Sequence, residues 1–275
     1  MPSLHQFACC VLAVAFAFGA GGLANGQQQA TPARRTTQQV LDQNAEQDRY
    51  TFIVFHKGNT AAAQAMTKAV KQGLSKQTHD STIALSLVSS PAEKPLVDKL
   101  GVSRAPMPLC VAIAPNGAVT SLFMKTPTSK EVAGAFVTPT MTRCMKAMQD
   151  GKIVLVCVQD GPETPEPLAV QDFQADPEFT DRVATVTLDP TDPAETEFLQ
   201  QLEMDAENKN AIATIILAPP GVLVGKYTAQ TMQAEMTAEL HAAGKCCDDP
   251  NCKHHKPAGN AKSATKPKSA ASRRK

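Results

Sequence analysis

Apolar residues in the middle of the chain form short runs separated by polar stretches with helical spacing. YTFIVFHKG (50–58), STIALSLVSSP (81–91) and LCVAIAPNGAV (109–119) have the length and composition of buried strands. In the last run, Asn116-Gly117 is a tight-turn signal because both residues tolerate positive φ. The pattern predicts strand, helix, strand, helix, strand, hairpin, strand and helix.

The same series occurs a second time. At an offset of 104 residues, LCVAIAPNGAV falls on AIATIILAPPGVLV (211–224), and both contain an apolar strand followed by Ala-Pro-x-Gly. Upstream, KIVLVCVQDG (152–161) and RVATVTLDPTDP (182–193) match the first two runs. Parallel strands joined by a helix that lead into an antiparallel pair predict an α/β fold, with two units of mixed β-sheet flanked by helices.

The repeat suggests a division of the chain. We expect a linker and amino-terminal helix over 27–45, the first unit over 46–137 and a degenerate second unit over 138–243. The remaining residues, 244–275, hold a Cys/His cluster and a basic tail.

Two local patterns in the second unit predict helix boundaries. Asp192-Pro193-Ala194-Glu195 fits a capping box in which the glutamate reaches back to the cap. A final helix is expected over 228–243, with Met232, Met236 and Leu240 on one face.

The stretch Leu100 to Pro108, LGVSRAPMP, followed by an apolar strand and an Asn-Gly turn, resembles the thioredoxin-like fold. The resemblance covers about 100 residues of the first unit, and the second unit is a more diverged copy. It implies a cis peptide before Pro108, after Met107, with Pro106 as the alternative one step away. In redox-active relatives this loop and the adjacent helix start hold an extended polypeptide, which implies a partner groove around Thr60, Met107 and Pro108.

The thiol pair of that family is missing at both expected positions. The family's reactive cysteines follow the first core strand, where this chain reads FHKGNTAAA (55–63) and VQDGPE (158–163). Neither segment has a thiol, so dithiol exchange at the usual site is excluded. The second unit also has Asn210-Ala211-Ile212 where the cis proline would stand. His56 is interpreted as a surface histidine at a strand end.

The other cysteines of the repeat lie in apolar surroundings. Cys110 and Cys157 fall inside apolar strands and are predicted to be buried, the alternative being a reactive thiol of a single-cysteine peroxidase or transferase. Cys144 has Met141, Met145 and Met148 around it at helical spacing. That stripe suits Cu(I), but we expect the buried face of a helix joining the two units.

The amino terminus has the pattern of a signal peptide. The first 33 residues contain no Asp, Glu, Lys or Arg, and FACCVLAVAFAF (7–18) is an apolar run shorter than a membrane span. Ala24-Asn25-Gly26 suits cleavage before Gln27, so residues 1–26 are predicted to direct export to the periplasm or beyond. An uncleaved amino-terminal membrane anchor is the alternative.

The formal net charge of +1 conceals an acidic body and a basic tail. Residues 245–275 hold nine Lys or Arg against two Asp, whereas residues 1–244 carry a net charge of −6. From Pro257 the tail has no apolar periodicity, so it is expected to be disordered. It is suited to an anionic membrane or wall surface, and with an export signal in front we expect no nucleic acid partner.

The tail begins with a dense group of soft donors: Cys246, Cys247, Cys252, His254 and His255. Thiols and imidazoles are ligands for Zn²⁺ or Cu(I), and Pro250-Asn251 offers a turn between them. A disulfide between Cys247 and Cys252 is the alternative in an exported protein.

Three functions remain open. The leading hypothesis is an exported, redox-inactive tandem that binds an extracytoplasmic protein or peptide and carries a metal-binding or thiol-bearing tail. The second is metal binding or transfer by the tail, and the third is a single-cysteine thiol enzyme.

Overall fold

The computed structural model describes residues 35–159, 164–204 and 211–244. The described residues from Thr36 onward form one compact unit. The first half, called unit 1, contains α1 (Thr37–Glu46), β1 (Tyr50–His56), α2 (Ala61–Leu74), β2 (Ser81–Leu87), α3 (Lys94–Lys99), a 3-10 turn (Val102–Arg104), β3 (Leu109–Ile113), β4 (Val119–Phe123) and α4 (Ser129–Ala133). Unit 2 contains α5 (Pro139–Gln149), β5 (Ile153–Val158), α6 (Leu168–Ala175), β6 (Val183–Leu188), a 3-10 turn (Pro193–Glu195), α7 (Thr196–Gln201), β7 (Thr214–Ala218), β8 (Val222–Tyr227) and α8 (Gln233–Gly244).

The two units have the same sheet topology. The strand order is β2-β1-β3-β4 in unit 1 and β6-β5-β7-β8 in unit 2. In each sheet the first pair is parallel and the other two pairs are antiparallel. Thr51 pairs with Ile113 and Val154 pairs with Leu217, so the register repeats as well. The α/β class and the internal repeat are therefore confirmed.

Helices cover both faces of each sheet because the central strands are apolar on both sides. In unit 1, Phe52 and Val54 pack with Met66 of α2, whereas Ile53 and Phe55 pack with Leu96 of α3. Helix α1, which falls in the segment where a linker and amino-terminal helix were expected, packs on β1 and β2. In unit 2, α6 and α8 cover one face of the sheet, and α5 and α7 cover the other.

Helix α5 connects the cores of the two units. Cys144 is buried with Met141 against the sheet of unit 2, while Met145 packs against the core of unit 1. The Gln149 side chain accepts a hydrogen bond from the Val119 N–H (2.9 Å) and donates one to the Val119 carbonyl (2.7 Å). The expectation that Cys144 lies on the buried face of a joining helix is confirmed.

The prediction of a capping box at Asp192 is wrong. The Asp192 carboxylate does accept a hydrogen bond from the Ala194 N–H (2.8 Å). Glu195, however, turns inward and accepts from the Thr140 N–H at the start of α5 (2.8 Å). Its side chain is used to hold α5 against the start of α7 instead of closing the local cap.

The final helix is shorter than expected. It begins at Gln233 instead of Thr228, because the Thr228 and Thr231 hydroxyls bond to nearby backbone N–H groups and form a turn. Met236 and Leu240 are buried as expected, but Met232 precedes the helix and is 73% exposed. Among the described residues, no helix combines the length and apolar character that crossing a bilayer requires.

Candidate functional site at the carboxyl end of β1

Pairing between β1 and β3 positions the loop that the sequence analysis singled out. Phe55 pairs with Leu109 in an antiparallel register, so the preceding Pro108 lies opposite His56 at the carboxyl end of β1. The Met107–Pro108 peptide bond is cis, as the resemblance implies. Both residues are half-buried, and Met107 packs against the core under α1 and α3.

Thr60 lies at the same edge of the sheet, where the chain turns from β1 into α2. Its side chain caps the helix by accepting a hydrogen bond from the Ala63 N–H (3.2 Å). Thr60 itself is exposed, so it contributes a helix start to this edge. The fold thus places Thr60, Met107 and Pro108 on two loops at one end of the sheet, and their role as a partner groove stays a prediction.

His56 is not the surface histidine that the sequence suggested. It ends β1 on the same face as Val54, under the start of α2, and is only partly exposed. Its Nδ1 atom is buried and has no hydrogen-bond partner within the described part of the chain. The sequence placed His56 at a strand end, and β1 does end there, but β2 pairs with β1 through this residue and its side chain is partly covered.

Two leucines on β2 extend this surface and were missed by the sequence analysis. Leu85 pairs with Val54 and Leu87 pairs with His56, so both lie on the face that carries His56. They are 45% and 37% exposed. The available signal was the alternation of Leu85, Ser86 and Leu87, which places both leucines on one face of an edge strand. Leu85, Leu87, His56 and Pro108 are called the β1-end surface below.

Unit 2 presents different chemistry at the equivalent place. Gln159 stands where unit 1 has His56, is 5% exposed, and has an Nε2 atom without a partner among described residues. Thr187 and Asp189 stand where unit 1 has Leu85 and Leu87. The Thr191 hydroxyl and N–H donate to the Asp189 carboxylate (2.6 and 2.8 Å), and these bonds lower the pKa of Asp189.

The cysteines of the described chain are buried. Cys110 and Cys157 are 0% exposed and Cys144 is 1% exposed, which confirms that they are core residues. Burial raises the pKa of each thiol to about 12. All three are therefore protonated and inaccessible near neutral pH, and a thiol enzyme needs a reachable thiolate.

The remaining predicted sites fall on residues that the structure does not describe. Cys246, Cys247, Cys252, His254 and His255, the signal peptide over 1–26 and the basic tail all lie outside the described residues. Within residues 35–159, 164–204 and 211–244, no group of three or more His, Cys, Asp or Glu is arranged to hold a metal ion.

A cavity of about 1010 Å³ lies elsewhere, at the amino end of β1, where the two units meet. Tyr50, Phe136 and Thr138 line it from unit 1 and the connection, and Arg143 and Glu197 line it from unit 2. None of the three residues predicted for the partner groove contributes to it.

No family model matches the sequence, and no curated protein sequence does. Among solved structures, the chain is similar to the NTD_N/C domain of alkylhydroperoxide reductase AhpF from Enterococcus faecalis (14% identity, 73% of this chain, 96% of that chain, TM-score 0.26). It is also similar to the zinc-bound form of human ERp44 (8% identity, 78% of this chain, 59% of that chain, TM-score 0.33). A third similar structure is that of the first two thioredoxin domains of Naumovozyma dairenensis Eps1p (10% identity, 80% of this chain, 99% of that chain, TM-score 0.28).

These likenesses are too distant to carry an argument about this chain. The assignment rests on the molecule itself: the strand order, the parallel and antiparallel pairs, and the cis proline before β3. The same strand order returns in the second half with the same pairing directions. The chain carries two thioredoxin-like units in tandem.

Proposed function

We propose that this chain is an exported, redox-inactive thioredoxin-like tandem that binds an extended segment of an extracytoplasmic protein or peptide. Binding takes place at the β1-end surface of unit 1, next to Thr60 and Met107. Unit 2 supports unit 1 and contributes no equivalent surface.

The contrast between the two units carries this proposal. Leu85 and Leu87 are exposed in unit 1, and the same fold in unit 2 is built with Thr187 and Asp189 at those positions. The fold therefore does not require leucines there, and exposed apolar groups that the fold does not need are typical of binding surfaces. The buried Nδ1 of His56 adds beside them one polar atom that has no hydrogen-bond partner among the described residues.

Redox inactivity and export are supported by separate observations. The segments 55–63 and 158–163 contain no cysteine, and the described thiols are buried. The charge-free apolar start of the chain has the pattern of an export signal.

The test uses a peptide selected from a library of random displayed peptides on the full-length chain. We expect Leu87→Ser to weaken binding of that peptide about tenfold, because about 1.4 kcal/mol of apolar burial is lost. Leu122→Ser is the matched control, since Leu122 is 53% exposed on the other edge strand of the same sheet. Isothermal titration calorimetry measures the affinity of both variants for the peptide. Equal affinities for the two variants would refute binding at the β1-end surface.

Metal binding by the tail is the second candidate function. Three thiols and two imidazoles between residues 246 and 255 are the donors that Zn²⁺ or Cu(I) prefers. Native mass spectrometry separates the two candidates: a bound ion that is lost when the chain ends at Gly244, with peptide binding intact, would assign the metal to the tail. The lysines and arginines that follow suit an anionic surface.

A further inference from the structure

Strand β2 forms one edge of the sheet in unit 1, with β1 as its neighbour on the other side. The Val88 N–H, one residue beyond β2, donates a hydrogen bond to the His56 carbonyl (3.0 Å). Because the backbone groups of alternate strand residues point to the same side, the even-numbered residues of β2 bond to β1. The N–H and C=O groups of Ile83 and Leu85 therefore face away from the sheet, and no described residue bonds to them.

The sequence of β2 leaves this edge open to pairing. The strand reads STIALSL, without a charged residue or a proline, and its pairing with β1 has no bulge. Natural edge strands normally carry such features, because an unpaired edge otherwise accepts a strand from another chain. Leu85 and Leu87 are 45% and 37% exposed and lie on the face of the sheet that α2 covers. Ile83, Leu85 and Leu87 are called the β2 edge below.

The equivalent edge of unit 2 is closed by side chains. Thr187 stands where unit 1 has Leu85, and its carbonyl accepts a hydrogen bond from the Arg143 guanidinium (2.9 Å). On the same edge strand, the Gln174 amide of α6 donates to the Thr185 hydroxyl (2.8 Å). In unit 1 no described residue bonds to the Leu85 carbonyl. The edge that is already occupied in one copy is therefore available in the other.

The flank of α2 beside the β2 edge is basic. Gly73 faces α4, and Lys71, two residues earlier, points to the opposite side of the helix. In the repeat, Lys71 stands where Gln174 of unit 2 reaches its edge strand, which places Lys71 level with Ile83. Lys71 is exposed and forms no ion pair with another described residue. Helix α2 contains no acidic residue, so a strand added here meets apolar side chains and an unbalanced positive charge.

We propose that the extended partner segment adds to the β2 edge as a further strand of the sheet and carries an acidic residue on the face that α2 covers. This inference rests on the proposed function and specifies how the segment binds and what chemistry it has. The backbone of the segment pairs with the N–H and C=O groups of Ile83 and Leu85. Two apolar side chains at alternate positions cover Leu85 and Leu87, and the next side chain on that face, a carboxylate, lies beside Lys71.

The test of strand addition uses a peptide selected from displayed random peptides on the full-length chain and resynthesised with an N-methyl group at one residue at a time. Methylation of residues whose N–H faces the β2 edge should weaken binding at least about tenfold, because a carbonyl of β2 loses its donor. Methylation of the residues between them should change the affinity by less than about twofold. Isothermal titration calorimetry measures each peptide. If Leu87→Ser weakens binding but methylation shows no alternation, the segment binds at the β1-end surface in another way and strand addition is overturned.

A charge exchange tests the acidic residue. Lys71→Glu should weaken binding of the same peptide about fivefold, and replacing the acidic residue of the peptide by lysine should restore the affinity for that variant. Lys130→Glu is the matched control, because Lys130 is exposed on α4 and the substitution changes the net charge equally. Equal losses for the two variants would overturn the assignment of Lys71. A dimer of the free chain that the peptide dissociates, seen by sedimentation velocity, would also overturn the proposal, because a second copy would then occupy the β2 edge.

Discussion

The carboxyl ends of β1 and β5 occupy the same place in two copies of one fold, but their side chains differ in kind. Unit 1 exposes Leu85 and Leu87 around His56, whereas unit 2 has Thr187 and Asp189 around the buried Gln159. The Asp189 carboxylate is engaged in a local turn with Thr191. One copy therefore exposes apolar side chains at this place, and the other is polar there.

The helices after these strands differ as well. Helix α2 has 14 residues and α6 has 8. The longer helix crosses α4 near its end, where Gly73 is buried and a Cβ atom added to it would lie 2.6 Å from Cβ of Val132. The shorter α6 ends at Ala175 and contains no glycine. The glycine allows α2 to lie close to Val132 of α4.

The largest expected effect follows from that contact. Gly73→Ala should destabilise the protein by about 3 kcal/mol, because the new methyl group overlaps Val132 and two packed helices must separate. Gly58→Ala is the control: an added Cβ there meets nothing within 4 Å and the backbone is not in the left-handed region. Urea denaturation of both variants measures the difference. If Gly73→Ala is as stable as Gly58→Ala, the close approach of α2 and α4 is not a constraint.

The two units also differ in how they pair the glutamate that precedes α3 in unit 1 and α7 in unit 2. Both oxygens of Glu93 are paired, one with the Thr37 N–H (3.1 Å) and one with the Ser86 hydroxyl (2.9 Å). Glu195 accepts from the Thr140 N–H, but its Oε2 is buried without a partner among the described residues. Unit 2 has Leu188 at the position where unit 1 has Ser86, so no hydroxyl is there to donate a hydrogen bond to this oxygen.

Replacing each glutamate by alanine should therefore lower the free energy of unfolding by different amounts. Glu195 is 3% exposed, so Glu195→Ala leaves the Thr140 N–H without a partner and should cost about 2 kcal/mol. Glu93 is partly exposed, and water can replace its hydrogen bonds, so Glu93→Ala should cost about 1 kcal/mol. Thermal or urea unfolding of the two variants measures the gap. The reverse ranking would mean that the unpaired oxygen of Glu195 outweighs its bond to α5.

The repeat and the strand order could be predicted because apolar strands and turn residues recur at a fixed offset. The role of Glu195 could not, since a capping box and a contact with α5 use the same residue type at the same position. The exposure of Leu85 and Leu87 depends on β2 being an edge strand, which is a property of the assembled sheet. Likewise, the position of His56 at the end of β1 could be predicted, but its partial burial depends on the pairing of that strand end with Leu87.

A pH-dependent effect concerns the buried thiols, one in unit 1 and two in unit 2. Each has a folded-state pKa of about 12 against an ordinary value of 9.0, so the folded state keeps its proton where the unfolded state releases it. This stabilisation is complete below pH 9 and is lost as pH rises from 9 toward 12. Between pH 8 and pH 10 each thiol should therefore lower the free energy of unfolding by about 1 kcal/mol.

Urea denaturation under reducing conditions at the two pH values tests this through alanine variants. Cys110→Ala should reduce the fall in unfolding free energy between pH 8 and pH 10 by the contribution of one thiol. The double variant Cys144→Ala, Cys157→Ala should reduce it by the contribution of two. The cost of the cavity that each alanine leaves is the same at both pH values and cancels in the comparison. Equal declines in the wild type and both variants would mean that the thiols ionise as readily in the fold as in the unfolded chain. The proposal that the tandem is redox-inactive would then have to be reconsidered, because the thiolates would form as readily in the folded protein.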